Sequence, residues 1–352
     1  MNRSARISHF DVPRERVAAP KTSFRVVPSD RPGLSSAIAP SVESMAPTTI
    51  VLATDLSCRC DRALDRAITL ASEWGARLVM VHVLREHVDA GPDCDMPSWR
   101  RPPDPRQAAR DLVRRDLRHA DGIGVKVVVE RGNPAQVILD VARRVDCGLL
   151  VTGVPRDETL TRILIGSTLD NVVRKAEMPV LVVRARRRGP YDNVIVAVDF
   201  SEAARQSLTT VLRLLPNARV TIFHAYDVPF GALVRPGTQT LESLERRTRA
   251  EALEFLRDTP ATAGRSIPIM CGHGEIGALL QDAVEAVGAD LVVVGTRGRN
   301  VLSSMLLESV AKNLLSSVTA DVLIVRQREN EAASSSRDHG GCRTVWSDWA
   351  VA

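Results

Sequence analysis

The sequence is poor in aromatic residues and lacks long apolar runs. Phe, Trp and Tyr make up 3% of the 352 residues, and the net charge is a modest +5. No aromatic platform for stacking bases is evident, so we expect no nucleic-acid partner. No stretch of about 18 apolar residues occurs, so we expect no membrane span. No apolar signal-peptide core is present near the start, and we therefore expect a cytoplasmic protein.

Cysteine pairs and catalytic motifs are missing as well. The six cysteines are scattered without the spacing of metal ligands, which is typical of proteins in a reducing compartment. The sequence has no G-x-x-x-x-G-K-[ST] phosphate loop, no H-E-x-x-H and no G-x-S-x-G. No pattern sets a general base beside a nucleophile, so we predict no catalytic residues and no resident metal.

The sequence does contain a duplicated pattern of strands and helices. Apolar runs end at Asp55 and at Asp199, as expected of buried parallel strands, and Ser57 and Ser201 follow as predicted helix N-caps. Further strands are predicted near 78–83, 126–129, 149–151 and 180–183, and near 220–225, 267–270, 291–294 and 322–325. Alternation with helices predicts an α/β fold of two tandem Rossmann-like domains, each a five-stranded, mostly parallel sheet flanked by helices.

The two halves share one register. Five pairs of residues lie 142 positions apart: His82 and His224, Gly132 and Gly274, Gly153 and Gly295, Ser167 and Ser309, and Val183 and Val325. Asp55 and Asp199 are instead 144 apart, which predicts a two-residue deletion in the first helix of the second half. A fixed offset across strands, glycines and serines indicates an internal duplication.

The duplication sets the expected domain boundaries. The first domain is predicted over 47–186 and the second over 192–327, with 187–191 as the linker. Residues 1–46 are rich in Arg, Ser and Pro and have little apolar periodicity, so we expect a disordered tail. Residues 328–352 are predicted to form a flexible C-terminal tail.

The repeated unit resembles the universal stress protein family in its tandem, two-domain form. The most specific element is a loop after the fourth strand, which reads Gly, two residues, Gly, nine residues, Gly, then Ser or Thr. The resemblance implies a stress-response protein that binds ATP, or AMP or ADP, as a sensor or regulator, with Mg²⁺ as phosphate counter-ion. It also implies an intramolecular pseudo-dimer paired through the fifth strands, while a homodimer and an unknown stress-signalling partner remain open.

The resemblance implies a nucleotide site in each half. The implied contacts are Asp55, Val83, Gly153, Arg156, Gly166, Ser167 and Thr168 in the first half and Asp199, Ala225, Gly295, Gly298 and Ser309 in the second. The chemistry suits an anion, because glycines let the backbone approach it and a helix N-terminus supplies amides and a positive dipole end.

Each half departs from the loop pattern once. In the first half Arg156 replaces the second glycine, and its guanidinium could contact a phosphate. In the second half Glu308 replaces the third glycine, and its carboxylate would repel a triphosphate. Charge therefore favours the first half and loop shape favours the second. A nucleotide-free adaptor acting through protein contacts is the alternative function, followed by a slow ATP hydrolase.

Three further features have weaker support. Gly272 to Gly277 reads G-x-G-x-x-G, but the first half keeps only its middle glycine at Gly132, which argues against a dinucleotide fingerprint. His82 and His224 recur in both halves, which indicates a structural role. Cys58 and Cys60 lie on the first turn of a predicted helix, where the dipole can lower a thiol pKa. A redox switch and inert thiols are both open there.

Overall fold

The computed structural model describes residues 25–27, 46–57, 60–84, 104–117, 122–154, 166–186, 189–226, 238–295, 315 and 317–326. Strands and helices alternate in both halves, as the sequence predicts. The strands and helices up to the end of the first half are β1 (Arg25–Val27), β2 (Thr49–Thr54), α1 (Asp61–Trp74), β3 (Arg77–Leu84), α2 (Pro105–Asp116), β4 (Val125–Arg131), α3 (Pro134–Arg144), β5 (Leu149–Gly153), α4 (Ser167–Lys175) and β6 (Val180–Val183).

The strands of the second half follow the same order. Its elements are β7 (Asn193–Ala197), α5 (Glu202–Leu214), β8 (Arg219–Tyr226), α6 (Thr238–Arg257), a 3₁₀ turn (Pro260–Thr262), β9 (Ile269–His273), α7 (Ile276–Val287), β10 (Leu291–Gly295) and β11 (Asp321–Val325). Among the described residues, no helix is both long and apolar enough to cross a membrane.

The strands form one continuous sheet, in the order β1-β9-β8-β7-β10-β11-β6-β5-β2-β3-β4. Within each half the five strands are parallel, as predicted. The halves join where β6 and β11 pair antiparallel, with Leu181 opposite Leu323. This confirms the expected pairing through the fifth strands.

Two apolar cores cover the two faces of the sheet, because alternate strand residues point to opposite sides. One core gathers Ile50 and Leu52 with α1, α2, α5 and α6, and the other gathers Val51 with α3, α4 and α7. Both cores run through both halves. Strands buried on both faces explain the unbroken apolar runs in the sequence.

Two local expectations are corrected. Residues 25–27 lie in the segment that we expected to be disordered, yet they form a strand antiparallel to β9. The edge of β9 offers backbone groups that a further strand can pair with, which gives the physical reason. The deletion also lies elsewhere: α1 begins six positions after Asp55 and α5 three after Asp199, so the loop before the helix is shortened.

A buried polar cluster ties the linker to both halves. The Asp321 carboxylate is fully buried and accepts hydrogen bonds from the amides of Arg184 and Ala185, at 2.7 and 2.8 Å, and from the Tyr191 hydroxyl at 2.7 Å. Arg66 Nε lies 3.5 Å from the same carboxylate, and its guanidinium stacks 4.0 Å above the Tyr191 ring. The sequence did not lead us to predict this cluster. Its one signal was a difference between the halves, because the second half has Asp321 where the first half has Pro179.

Candidate functional site

The strand order places a crevice at the carboxyl ends of β2 and β5. In a doubly wound sheet, the crevice forms where the order reverses, and ligands bind there. Ala53 pairs with Thr152 on β5, so the segment at Thr54 and Asp55 lies beside Gly153. Val83 follows His82, which pairs with Thr54, so it reaches the same edge of the sheet. Three of the predicted residues, Asp55, Val83 and Gly153, are thus brought to neighbouring strand ends. Gly166 stands at the start of α4.

Asp55 is held by a tight turn. Leu56 adopts a left-handed conformation with φ of 59°, which folds the chain back on the carboxylate. Asp55 Oδ1 then accepts hydrogen bonds from the Ser57 amide at 2.9 Å, the Ser57 hydroxyl at 2.6 Å and the Cys60 thiol at 3.1 Å. All three of these hydrogen bonds are made to Oδ1.

The same contacts set the charge of Asp55. Partial burial raises its pKa, but the hydrogen bonds from Ser57 and Cys60 outweigh that effect, so the pKa lies below its ordinary value. The carboxylate is therefore ionised at neutral pH. It is exposed at the mouth of the crevice and is ready to accept a hydrogen bond through Oδ2.

One sequence expectation about this turn is wrong, and the structure favours inert thiols, one of the two alternatives left open there. Ser57 does not cap α1, because the helix begins at Asp61 after Cys60, and the Ser57 side chain bonds to Asp55 instead. Cys60 is not an activated thiol. Burial raises its pKa to about 11, and its hydrogen bond to Asp55 also keeps the proton on sulfur. Cys58 lies outside the described residues.

The start of α4 is the second part of the predicted site. Gly166 is the N-cap residue in an extended conformation, and among the described residues no side chain hydrogen-bonds to the cap. Ser167 is the first helical residue and is exposed, and Thr168 is half-buried. In the part of the chain that the structure describes, no atom beyond Gly166 and its two chain neighbours lies within 4 Å of where a Gly166 Cβ would stand. A helix start of this kind offers amides and a hydroxyl to an anion; Arg156 lies outside the described residues.

The second half repeats the turn at Asp199. Phe200 has φ of 60°, and the Ser201 amide donates to Asp199 Oδ1 at 3.1 Å. Ser201 is the N-cap of α5, as predicted, because its hydroxyl accepts from the Ala204 amide at 3.2 Å. Ala225 lies at the end of β8, two positions past the Ala197–Phe223 pair. Gly298 and Ser309 lie outside the described residues.

Gly295 is needed for packing. A Cβ at this position would lie 3.0 Å from Ser207 Oγ and 3.1 Å from the Ala203 carbonyl oxygen. A side chain there would push β10 away from α5. The glycine at this position therefore has a structural reason that is independent of any ligand.

The recurrent histidines are structural, as predicted. His82 Nδ1 lies 3.0 Å from the Thr54 carbonyl oxygen, and His224 Nδ1 lies 2.7 Å from that of Val198. Each ring thus fixes the end of the neighbouring first strand. The His224 ring also stacks on Phe200, with 4.4 Å between ring centroids.

The glycine-rich segment at Gly272 is not a dinucleotide site. Glu275 caps α7 with its own carboxylate, which accepts from the amides of Gly277 at 3.0 Å and Ala278 at 2.7 Å. These are the amides that a pyrophosphate would use. The segment also follows β9, far from the point where the strand order reverses.

An open groove of about 460 Å³ lies at the opposite edge of the second-half sheet, where Asn193, Arg219 and Arg265 contribute its polar lining. It contains none of the predicted site residues. Among the described residues, no group of three or more His, Cys, Asp or Glu side chains is placed to hold a metal ion.

The fold is that of a tandem, Rossmann-like α/β protein. The model of the universal stress protein family matches residues 47–184 and 190–326. The chain therefore belongs to the universal stress protein family, and it carries two copies of the domain.

Similar proteins support this assignment. A universal stress protein of Mycolicibacterium smegmatis is 26% identical over 311 residues, covering 82% of this chain and 100% of the relative. One from Methanocaldococcus jannaschii is 30% identical over 145 residues, covering 40% of this chain and 83% of the relative. A solved universal stress protein from Archaeoglobus fulgidus shares the fold, with a TM-score of 0.56, 18% identity and coverage of 82% of this chain and 99% of that one.

Proposed function

We propose that the first half binds an adenine nucleotide and that the chain works as a nucleotide-responsive regulator of the stress response. The ionised Asp55 carboxylate supports this proposal above all. Its Oδ1 is fixed by three donors, and the residue is exposed, so Oδ2 would be the atom that accepts a hydrogen bond from the ligand. A prepositioned acceptor suits a ribose hydroxyl or an adenine amino group, because the carboxylate is already ordered and binding loses little conformational entropy there.

The phosphates would lie at the start of α4. The amides there have no side-chain cap, and the exposed Ser167 hydroxyl adds a further donor. The one acidic residue of the first turn, Asp170, is paired with Arg174 at 3.0 Å. A Mg²⁺ ion would be held mainly by phosphate oxygens, because the described residues offer it no cluster of acidic ligands.

We assign a scaffolding role to the second half. The packing of Gly295 against α5 explains its glycine without a ligand, and Glu308 brings a negative charge to the position of Gly166. The packing role of Gly295 and the charge of Glu308 favour a second candidate function. In this alternative the chain is an adaptor whose second half acts through protein contacts. We propose no catalytic role for either half and at most slow ATP hydrolysis, because Asp55, which accepts from the Ser57 hydroxyl at 2.6 Å, has a lowered pKa and is therefore a weak general base.

Titration calorimetry with ATP, ADP and AMP, with and without Mg²⁺, tests the proposal. Asp55→Ala should weaken binding about ten- to a hundredfold, the value of a hydrogen bond to a charged group. Asp199→Ala is the matched control in the equivalent turn and should leave the affinity unchanged. Loss of binding in Asp199→Ala alone would move the site to the second half. No binding by the unaltered chain would favour the adaptor.

A further inference from the structure

The two ends of the sheet differ in how they are covered. At the second-half end, β1 lies against β9. At the first-half end, β4 pairs with β3 on one side, and no strand of the described residues pairs with its other side. An edge strand of seven residues exposes a row of unpaired backbone groups, which can accept another strand.

The direction of these groups follows from the pairing with β3. The Gly124 carbonyl accepts from the Leu78 amide at 3.0 Å, and the Gly132 amide donates to the Leu84 carbonyl at 3.2 Å. Peptide groups alternate in direction along a strand, so the even-numbered residues of β4 point to β3. The backbone groups of the odd-numbered residues, such as Val127 and Val129, therefore point outward.

The equivalent outward positions on β9 already pair with a strand. The Pro268 carbonyl accepts from the Ile222 amide on β8, so Ile269 and Cys271 point outward. These two residues are the register partners of Val27 and Arg25 on β1. Ile269 lies 142 positions beyond Val127, and Cys271 lies 142 positions beyond Val129. Among the described strands, the edge used for strand addition in the second half thus carries no added strand in the first.

We propose that this open edge pairs antiparallel with the β4 edge of a second copy of the chain, about a twofold axis at Val128. The sequence of β4, Val-Lys-Val-Val-Val-Glu-Arg, is self-complementary about that residue. Val127 faces the partner's Val129, and both are outward-pointing residues, so they exchange backbone hydrogen bonds. About eight such bonds form across the four hydrogen-bonded residue pairs.

Charge selects this register. Lys126 faces the partner's Glu130, and the twofold axis generates the reciprocal pair. Both fall at positions that are not hydrogen-bonded across the interface, where Cα atoms approach to about 4.5 Å and side chains come closest. Glu130 keeps its contact with Arg144 at 2.7 Å, because a carboxylate can accept several donors.

Lys126 also disfavours pairing of the β4 edge with unrelated strands. A lysine in the middle of an edge strand blocks indiscriminate pairing, since its charge has no partner in an ordinary apolar strand. In the twofold arrangement each lysine meets a glutamate. A second copy of the chain therefore fits this edge better than an unrelated strand does.

Sedimentation velocity of the full-length chain over a range of concentrations tests the proposal. A reversible dimer is expected. Lys126→Glu and Glu130→Lys each place like charges opposite each other twice and should weaken the dimer about tenfold or more. The double variant Lys126→Glu with Glu130→Lys restores opposite charges and should recover dimerisation. Arg213→Glu, an exposed change of the same charge on α5, is the matched control.

A second variant and a second measurement address folding. Val127→Pro removes an outward amide that β3 does not use, so the melting temperature should hold while the dimer is lost. In hydrogen exchange, the Val127 and Val129 amides should gain protection at high concentration, whereas the inward Val128 amide should be protected throughout. A monomer at all concentrations, a dimer indifferent to both single charge changes, or a double variant that stays monomeric would each overturn the proposal.

Discussion

The Nδ1 atom of His224 lies 2.7 Å from the carbonyl oxygen of Val198, and His82 stands in the same relation to Thr54 at 3.0 Å. In both halves the histidine of the second strand secures the residue just before the site aspartate. The contact thus links the apolar core to the turn that presents Asp55 or Asp199.

His224 should make folding stability depend on pH. Burial lowers its pKa below the ordinary value of 6.5, although the Val198 carbonyl and the charges of Asp199 and Glu251 oppose this. Below pH 6.5 the unfolded chain binds a proton that the folded chain does not. The His224 contribution is therefore complete above pH 6.5 and declines as the pH falls, by less than about 1.4 kcal/mol per pH unit. Urea unfolding between pH 8 and 5 should show a shallower slope in His224→Asn.

Cys60 should react slowly with alkylating agents. Its pKa of about 11 leaves roughly one thiolate in a thousand at pH 8, compared with about a quarter for an ordinary thiol. Labelling by iodoacetamide, followed by mass spectrometry, should therefore be about a hundredfold slower in the folded than in the unfolded chain. Rapid labelling in the folded state would revive a redox role.

Removing the Cys60 thiol should raise the pKa of Asp55. The hydrogen bond from the Cys60 thiol is one of the interactions that lower the pKa of Asp55, so Cys60→Ala should shift the Asp55 titration to higher pH. Cys60→Ser keeps a donor and should preserve the lowered pKa. An NMR titration of the Asp55 carboxyl carbon measures both variants. Equal titrations in the two would show that the thiol does not hold the carboxylate.

Glu275→Ala should destabilise the second half. The variant removes the side-chain cap of α7, which accepts two amide hydrogen bonds, and the expected loss is about 1 kcal/mol. Asn133→Ala is the matched change at the equivalent position, where Asn133 caps α3 by accepting from the Gln136 amide at 3.2 Å. Thermal unfolding should show a loss of similar size in both variants. An unchanged stability in Glu275→Ala would mean that water replaces the cap.

Asp321→Ala should have a much larger effect. It would leave the Arg66 guanidinium, 4% exposed, without its buried carboxylate, and breaking such a pair costs about 3–5 kcal/mol. In Arg66→Met with Asp321→Ala the loss should be smaller than the sum of the single losses. Asp140→Ala, in an exposed pair with Arg143 at 2.7 Å, should cost about 1 kcal/mol or less. Urea unfolding compares these three variants with the single variant Arg66→Met. Additive losses in the double variant would argue against coupling between Arg66 and Asp321.

Much of the fold follows from local patterns in the sequence. The apolar run ending at Thr54 is buried on both faces, which is the condition that makes such a run a central parallel strand. The repeated offset placed His82 and His224 in equivalent contacts, because duplicated segments fold by the same rules. Ser201 became an N-cap as its position before α5 predicted.

The errors occur where a residue's role depends on a distant or non-repeating partner. Ser57 has the sequence context of a cap, but the longer loop before α1 lets it bond to Asp55 instead. For the thiol of Cys60 the sequence left a redox switch and an inert thiol open, and burial and Asp55 favour the inert thiol. The pairing of Arg25–Val27 with β9 depends on an edge formed more than 240 positions later in the chain.

The sequence by itself determined the duplicated α/β fold, because periodicity and a fixed offset encode it locally, and the resemblance to the universal stress proteins implied the pairing of the fifth strands. Only the tertiary structure decided that Asp55 is held by Ser57 and Cys60, that Gly295 is a packing glycine, and that Asp321 binds the linker and Arg66. Those relationships depend on burial and on contacts between segments far apart in the chain. Both change the energy of a charge or a side chain without leaving a pattern in the local sequence.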